Sequence, residues 1–386
     1  MRKPPTRPDR LGQPKMAPPR LAGFGAPARE HSGPKVHVAV LAFDGCMASS
    51  VTGPMELCAV ANTLLDLTTP GRGIRFTSEV ITTDGRPVQC GEGVTLASHR
   101  YRDASGPGKS ARPDVVIVPG IWHTSAGGSF REVGTTLAPE AALLRTFHEQ
   151  DVLIGGICSG TILLAEAGLL NGRAATTSWW LGEPFRRRYP LVRLALDEVV
   201  TTDGNVWCAG AATSHFNLTL KIIEHHVSAD LAALVARFML IDPNRASQAP
   251  YMVHDFRPMA ADAAVARAQA WVGKHLGGPI ALEEMAGAAA VSTRTLIRRF
   301  REATGLTPLA YVQKARVEEA KSLLSTGNLA VEKIVDRVGY ADMSSFRRLF
   351  REHTGMTPHD YREKFRVKAG RTVPPMRRTK ASRPSA

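Results

Sequence analysis

The sequence predicts an α/β chain in two folded parts, a doubly wound parallel-sheet domain followed by an all-α unit with two helix-turn-helix motifs. Three observations predict it. Between Val36 and about residue 240, short continuous apolar runs alternate with helical stretches, the pattern of a parallel sheet covered on both faces. Beyond the segment near Ile241-Asp242-Pro243-Asn244 the strand signals stop, and Phe300-Arg301-Glu302-Ala303-Thr304-Gly305-Leu306-Thr307-Pro308 returns fifty positions later as Phe350-Arg351-Glu352-His353-Thr354-Gly355-Met356-Thr357-Pro358. Charge divides the chain in the same way. Residues 36–262 carry 18 basic and 22 acidic side chains, whereas residues 263–386 carry 23 basic and 11 acidic, out of a net +14 for all 386 residues.

Residues 1–34 hold eight prolines among scattered Arg and Gly, a spacing through which no helix or ladder runs, so a disordered basic tail is expected. Met16 is an alternative start. The first strand is Val36–Leu41, followed by a helix over Val51–Leu65 and a strand over Phe76–Thr82. Val115–Val118 ends at Pro119-Gly120, Leu137–Glu149 is helical, and Val152–Ile157 leads through a sharp turn into a helix from Thr161 to Leu169. A helix from about Phe216 to His226 closes this domain, placed at 35–240 with a connection at 241–261. The C-terminal helices fall at about 262–276, 282–289, 292–303, 308–325, 331–338, 342–353 and 358–365, and 366–386 is a basic tail.

No apolar run reaches the roughly 18 to 20 residues that span a bilayer, so a cytoplasmic protein without membrane contact is expected. The five cysteines (Cys46, Cys58, Cys90, Cys158, Cys208) are widely spaced with no C-x-x-C, which favours reduced thiols over disulfides or a metal site. Neither a metal nor a cofactor is expected.

In the first copy of the repeat, Leu282, Met285, Ala286 and Ala289 form an apolar stripe, Val291-Ser292 breaks the helix, and Ser292 caps the next one, held by Leu296 and Phe300. In the second, Val331, Ile334, Val335 and Val338 form the stripe, Gly339-Tyr340 turns, and Asp342 caps a helix held by Phe346 and Phe350. The offset is 49 before the turn and 50 after it, so the second turn holds one extra residue. The outward positions of the second helices are then Thr293, Arg294, Ile297 and Arg298 in one copy and Met343, Ser344, Arg347 and Arg348 in the other. Arg donates bidentately to guanine, and Thr, Ile and Met meet thymine methyls. Arg301 and Arg351, a turn further on, suit phosphates. A solvated basic face accounts for any one arginine as well as base contact does; the pairing favours double-stranded DNA. Tyr311, Val312, Ala315, Val317, Ala320 and Leu324 suit the connector 308–325 to packing on both sides, holding two reading helices about 34 Å apart.

Residues 262–365 resemble the AraC-type DNA-binding domain through Leu296-x-Arg298-x-Phe300, Gly305-x-Thr307-Pro308, Arg316, Ala320, Ile334-x-x-x-Val338-Gly339-Tyr340 and Phe346-x-Arg348-x-Phe350. The resemblance implies sequence-specific binding to promoter DNA, commonly with recruitment of RNA polymerase.

Gly155-Gly156-Ile157-Cys158-Ser159-Gly160-Thr161 follows a strand and opens a helix, the geometry of a nucleophile elbow with a thiol whose pKa helix N–H groups would depress. Residues 36–230 resemble the DJ-1/PfpI branch of the class I glutamine amidotransferase-like fold, which is flavodoxin-like, through Gly53-Pro54, Val118-Pro119-Gly120, the Cys158 elbow and Leu164-Ala165-Glu166-Ala167-Gly168-Leu169-Leu170-x-Gly172. Thr176-Thr177-Ser178-Trp179-Trp180 and Cys208-Ala209-Gly210-Ala211 resemble the regulator subgroup that places this domain ahead of an AraC-type module. The protease-like members carry His directly after the cysteine, where this chain has Ser159. Ser49-Ser50 stands where related enzymes place an acid, Glu56 lies a turn late, and His123 and His215 are the remaining candidate bases. Cys158 is therefore expected to line a pocket, as a vestigial or sensing nucleophile, rather than to turn over substrate.

Ligands of such sheets bind beyond the C-terminal strand edges. Those loops supply Asp44, Gly120, Ile121, Trp122, His123, Cys158 and Ser159, with Trp179 and Trp180 as aromatic walls that would hold an amine by cation–π attraction. The expectation is a one-component regulator, an activator and not an enzyme, that senses a small amine or amino-acid-like effector and forms a homodimer, as the resemblance suggests. The alternative is a Cys158-dependent amidase fused to a DNA-binding module.

Overall fold

The computed structural model describes residues 33–69, 73–102, 111–121, 130–253 and 262–366. The basic tails, Trp122, His123 and the segment 254–261 lie outside the described residues.

The N-terminal part begins with β1 (Lys35–Leu41), α1 (Ala48–Thr68) and β2 (Arg75–Thr82). The short pieces β3 (Val88–Gln89), β4 (Thr95–Leu96) and β5 (His99–Arg100) precede β6 (Val115–Val118), α2 (Phe130–Thr136), α3 (Ala138–Glu149), β7 (Leu153–Ile157) and α4 (Thr161–Glu166). Then come β8 (Ala174–Ala175), α5 (Gly182–Arg188), β9 (Arg193–Leu194), the hairpin β10 (Val200–Asp203) and β11 (Val206–Ala209), and the pair α6 (Ser214–His226) and α7 (Ala229–Phe238). The main sheet runs β10-β11-β7-β6-β1-β2-β5 and is parallel from β11 to β5. Every residue of β6 and β7 is buried, because helices cover both faces and no polar side is needed. This is the doubly wound, flavodoxin-like domain the sequence predicts.

The sheet differs from expectation at one edge. β10 is antiparallel to β11, a strand pair joined by the Gly204 turn at φ +60°. α2, α5 and α7 add to the helices the sequence predicts. α7 has a plain start signal, Ser228 accepting from Leu231 N at 3.2 Å. The expected connection at 241–261 is partly built into this domain. Val199 N donates to Ala246 O, and the buried Gln248 carboxamide receives Ala211 N at 3.0 Å and lies within 3.1 Å of Thr176 Oγ1, Thr177 O, Leu196 O and Glu198 O.

The C-terminal part is all helix: α8 (Ala263–His275), α9 (Leu282–Ala288), α10 (Thr293–Thr304), α11 (Pro308–Thr326), α12 (Val331–Arg337), α13 (Met343–Thr354) and α14 (Pro358–Phe365). It has two apolar cores. One gathers Ala264, Val265, Met285, Leu296 and Phe300; the other gathers Ile334, Val335, Val338, Phe346, Phe350 and Tyr361. α11 serves both, giving Val312 to the first and Val317, Ala320 and Leu324 to the second. Its low amphipathicity follows from having a neighbour on each side.

The repeated Thr-Gly-x-Thr-Pro segment is the scaffold of a helix–helix corner. Gly305 and Gly355 end α10 and α13 in the left-handed region, at φ +72° and +68°, with their N–H groups returned to Arg301 O and Arg351 O. Thr307 and Thr357 then cap α11 and α14, accepting from Ala310 N and Asp360 N, and Pro308 and Pro358 take the first helical position, where no N–H is required. Two corners of identical chemistry thus set the exit angle of both second helices.

Candidate DNA interface and effector pocket

The two helix-turn-helix units are built as their sequences suggest. Ser292 Oγ accepts Thr295 N at 3.2 Å, and Asp342 accepts Ser344 N and Ser345 N at 3.2 and 2.7 Å. The Ser345 side-chain hydrogen bond, with the Ser345 and Ser344 N–H groups behind it, holds the Asp342 carboxyl below its usual range. The turns use left-handed residues at equivalent places, Ala290 at φ +54° and Gly339 at φ +79°. Arg316 of α11 ties the units together: Nε and Nη2 donate to Leu276 O (3.2 Å) and Gly278 O (2.5 Å), and the guanidinium lies 5.2 Å from the Tyr340 ring centre. One side chain therefore grips the loop before the first unit and the turn of the second.

Leu296 and Phe300, and Phe346 and Phe350, are fully buried, which turns the opposite faces of α10 and α13 to solvent. Arg294, Arg298 and Arg301 are exposed on the first; Ser344, Arg347, Arg348 and Arg351 on the second. Arg298 is paired with Glu302 at 2.9 Å, an exposed i,i+4 contact that a phosphate or base can replace at little cost. Arg348 borders a cleft of about 470 Å³ between the units, with Gln313, Lys314 and Glu352.

Three positions depart from the outward face expected of them. Met343 packs against the second core, because it lies three residues before Phe346 and shares its side of the helix. Thr293, in the same relation to Leu296, is half-buried. Ile297 is half-buried beside Ile280 and Leu282 in an apolar cleft of about 350 Å³ that also includes Arg301. The exposed face of these two helices is thus more uniformly arginine than the sequence implies.

In the N-terminal domain, the loops after β1, β6 and β7 converge. Met47 N donates to Gly120 O (2.8 Å), Gly120 N to Ser50 Oγ (3.0 Å), and Ser159 Oγ clamps Ile121 by accepting its N–H (2.9 Å) and donating to its carbonyl (3.0 Å). Cys158 sits at φ +55°, a strained conformation for a side-chain-bearing residue. The strand-to-helix turn forces it: Gly160 lies against Pro119 O without room for a Cβ, and a Cβ on Gly120 would meet Cys158 Cβ at 3.2 Å. The elbow is therefore real.

Its chemistry differs from that expected of an activated nucleophile. Cys158 is 3% exposed and its Sγ lies 2.7 Å from Ser178 Oγ, while its carbonyl accepts Thr161 Oγ1 and Thr177 Oγ1. Burial raises the thiol pKa, and the hydroxyl contacts only partly offset it, which corrects the expected depression. His215 serves a different contact: its Nδ1 bonds Ala212 O at 2.7 Å, and its ring presses on Gly53 of α1. Burial lowers its pKa, and its Nε2 has no hydrogen-bond partner among the described residues. Glu56 is exposed on α1. Of the other expected pocket residues, Asp44 is exposed with Oδ1 accepting Gln89 N at 2.8 Å, and Gly120 and Ser159 are buried at the elbow. Trp179 instead lines a cleft of about 390 Å³ with Arg186, Asp197, Met252, Leu306 and Lys314, where the two parts of the chain meet, and Trp180 is exposed. The Gln248 contacts carry no sequence signal, because a lone Gln in a loop matches no motif; Ser178 stands within the Thr176–Trp180 motif, but nothing in that motif names Cys158 as its partner.

No helix among the described residues is long and apolar enough to cross a membrane. The model of the DJ-1/PfpI family matches residues 36–225, and a helix-turn-helix domain model matches residues 285–364. The chain is 26% identical over 274 residues to the HTH-type transcriptional regulator CdhR of Pseudomonas aeruginosa, covering 70% of this chain and 76% of that protein. It is 24% identical over 317 residues to the HTH-type transcriptional regulator GbdR of Pseudomonas aeruginosa, covering 81% and 80%. An isonitrile hydratase of Pseudomonas putida is 31% identical over 125 residues, only 32% of this chain and 49% of that enzyme. The two matched domains in this order, with regulators matched over 76% and 80% of their own lengths, place the chain: it belongs to the AraC-type helix-turn-helix transcriptional regulators that carry an N-terminal DJ-1/PfpI domain.

Proposed function

We propose that this regulator activates transcription from the cytoplasm by binding promoter DNA through α10 and α13, under control of a small amine or amino-acid-like effector held at the loop cluster around Cys158. The observation that carries the reading is the pair of arginine-lined helices fixed to one connector, α11, by two cores and by Arg316. Arg294, Arg298, Arg347 and Arg348 read base edges, Ser344 adds an adaptable contact, and Arg301 and Arg351 hold phosphates. Thr293, Ile297 and Met343 contribute only from the edge of this surface. A homodimer and contact with RNA polymerase complete the activation scheme. An effector that favours one arrangement of the two domains by a few kcal/mol changes promoter occupancy correspondingly.

Footprinting on the DNA flanking its own coding region, with and without candidate amines and amino acids, tests this. The expected pattern is protection of two adjacent major-groove segments about one helical turn apart; absence of any specific footprint under all conditions refutes it. The strained Cys158 favours a second reading, an amidase-like enzyme. Against it stand the raised thiol pKa and the Ser178 contact in place of a histidine. Cys158→Ser separates the two: promoter activation is retained and the parent shows no amide hydrolysis if the regulator reading holds.

A further inference from the structure

The loop after β1 and the segment around β3 bring two thiols side by side. Cys46 and Cys90 are both buried, with their sulfurs 4.0 Å apart. The backbones that carry them are clamped by Gly45 N to Gln89 O (2.8 Å), Gly91 N to Cys46 O (3.0 Å) and Gln89 N to Asp44 Oδ1 (2.8 Å). None of the other three cysteine sulfurs has a second sulfur within hydrogen-bond reach among the described residues. This pairing joins residues 44 positions apart and is invisible as a motif.

We propose that Cys46 and Cys90 form a modification site, a dithiol that hydroperoxides oxidise to an intramolecular disulfide. Cys90 is the first to react, since it keeps 5% exposure while Cys46 has none. Its sulfur attacks the O–O bond of hydrogen peroxide; an S–O bond forms, the O–O bond breaks, and the departing oxygen leaves as water. Cys46 sulfur then attacks the Cys90 sulfenic sulfur; the S–S bond forms, the S–O bond breaks, and the hydroxide takes the Cys46 proton as a second water. Two thiols lose two electrons and two protons, and one peroxide is reduced to two waters.

Closure moves the pocket wall. A disulfide holds its sulfurs about 2.05 Å apart, so the pair must approach by about 2 Å from its present separation. Cys46 is bridged to Ile121 and the next residue donates from Met47 N to Gly120 O, in the turn after β6 where a Cβ on Gly120 would meet Cys158 Cβ at 3.2 Å. The site therefore adjoins the effector pocket, but its existence does not depend on any effector or on DNA binding.

Burial pushes both thiols up, Cys46 to about 12, and Asp44 and Glu92 reinforce this at Cys90. Oxidation is accordingly slow near neutrality and speeds up about tenfold per pH unit while the thiol stays mostly protonated. The test treats the intact full-length protein with hydrogen peroxide at pH 7 and pH 8, alkylates it under denaturing conditions, and maps the peptides by mass. The expected result is a fall from five alkylated cysteines to three, a cross-linked peptide pair holding Cys46 and Cys90, recovery of five on reduction with dithiothreitol, and a roughly tenfold faster loss at pH 8. Cys46→Ser and Cys90→Ser each abolish the cross-link; should either fail to fold, the parent peptide map alone decides. Five thiols still alkylated, a cross-link to any other cysteine, or Cys90 running on to sulfinic acid in the parent would overturn the proposal.

Discussion

Gly339→Ala is the sharpest test of how the two DNA-reading units are coupled. Gly339 turns the chain between α12 and α13 at φ +79°, where an alanine carries roughly 1 kcal/mol of backbone strain. The added Cβ would also lie 2.6 Å from Leu276 O and 2.8 Å from Arg316 Nη2. One of those atoms is backbone and the other belongs to the side chain that bridges the units, so neither yields freely. Overpacking of this kind costs about 1–3 kcal/mol, which with the strain brings the loss to about 3 kcal/mol. A domain of about 100 residues would lose on the order of 12–24 °C in melting temperature. The equivalent residue in the first unit, Ala290, provides an internal control: it is exposed and already accepts a left-handed φ of +54°. Ala290→Gly relieves that strain while adding unfolded-state entropy, so its effect should stay within about 1 kcal/mol of zero. Urea unfolding monitored by hydrogen exchange of the α12 and α13 amides measures both. If Gly339→Ala changes stability by less than about 0.5 kcal/mol, or Ala290→Gly changes it as much as Gly339→Ala does, the account of the turn and its Arg316 contact is wrong.

Arg316→Met keeps the aliphatic stem but removes the bonds to Leu276 O and Gly278 O; a loss of about 2–3 kcal/mol in thermal unfolding is expected, and an unchanged melting temperature contradicts the bridging role. Arg347→Ala should weaken specific DNA binding by about 1–3 kcal/mol and relax the preference at one base pair, whereas Arg351→Ala should weaken all sequences alike and lower the salt slope by about 1, both read from binding isotherms at several salt concentrations. Equal effects on specific and random DNA for Arg347→Ala would remove it from the base-reading set. His215 is neutral in the fold at a pH where the unfolded chain binds a proton. Stability of the N-terminal domain should therefore be unaffected by this group above its ordinary pKa near 6.5 and decline as pH falls below it, toward the lower folded value. His215→Gln should flatten that decline in pH-dependent urea titrations; an identical slope excludes His215 as its source.

The elements with strong local chemistry were legible in the sequence. β6 and β7 are unbroken apolar runs, and the Gly-x-Thr-Pro corners state their caps, their left-handed residues and their helix starts outright. The outward faces of α10 and α13 were legible only in part, because helix geometry places the first residue after each cap on the core side; Met343 follows its phenylalanine inward. The elbow was read from Cys158 and its glycines, but its electrostatics were not. Whether such a thiol is activated depends on what surrounds it, and the burial and the Ser178 contact that decide it are made by the fold rather than by neighbouring sequence. Gln248 falls inside the 241–261 segment expected to be a connection, yet tertiary contacts use its whole carboxamide, which no local pattern reveals.

Because α11 belongs to both cores and Arg316 locks the turn of one unit to the approach of the other, the distance and phase between the two reading heads are properties of the protein, not of the target. A one-base-pair insertion between the half-sites would rotate the second by ~34–36° and shift it by ~3.4 Å. Substitutions in a target promoter degrade it gradually, one contact at a time, while insertions and deletions within it fail at once. The genomic sites of this regulator should therefore drift in letters but not in length.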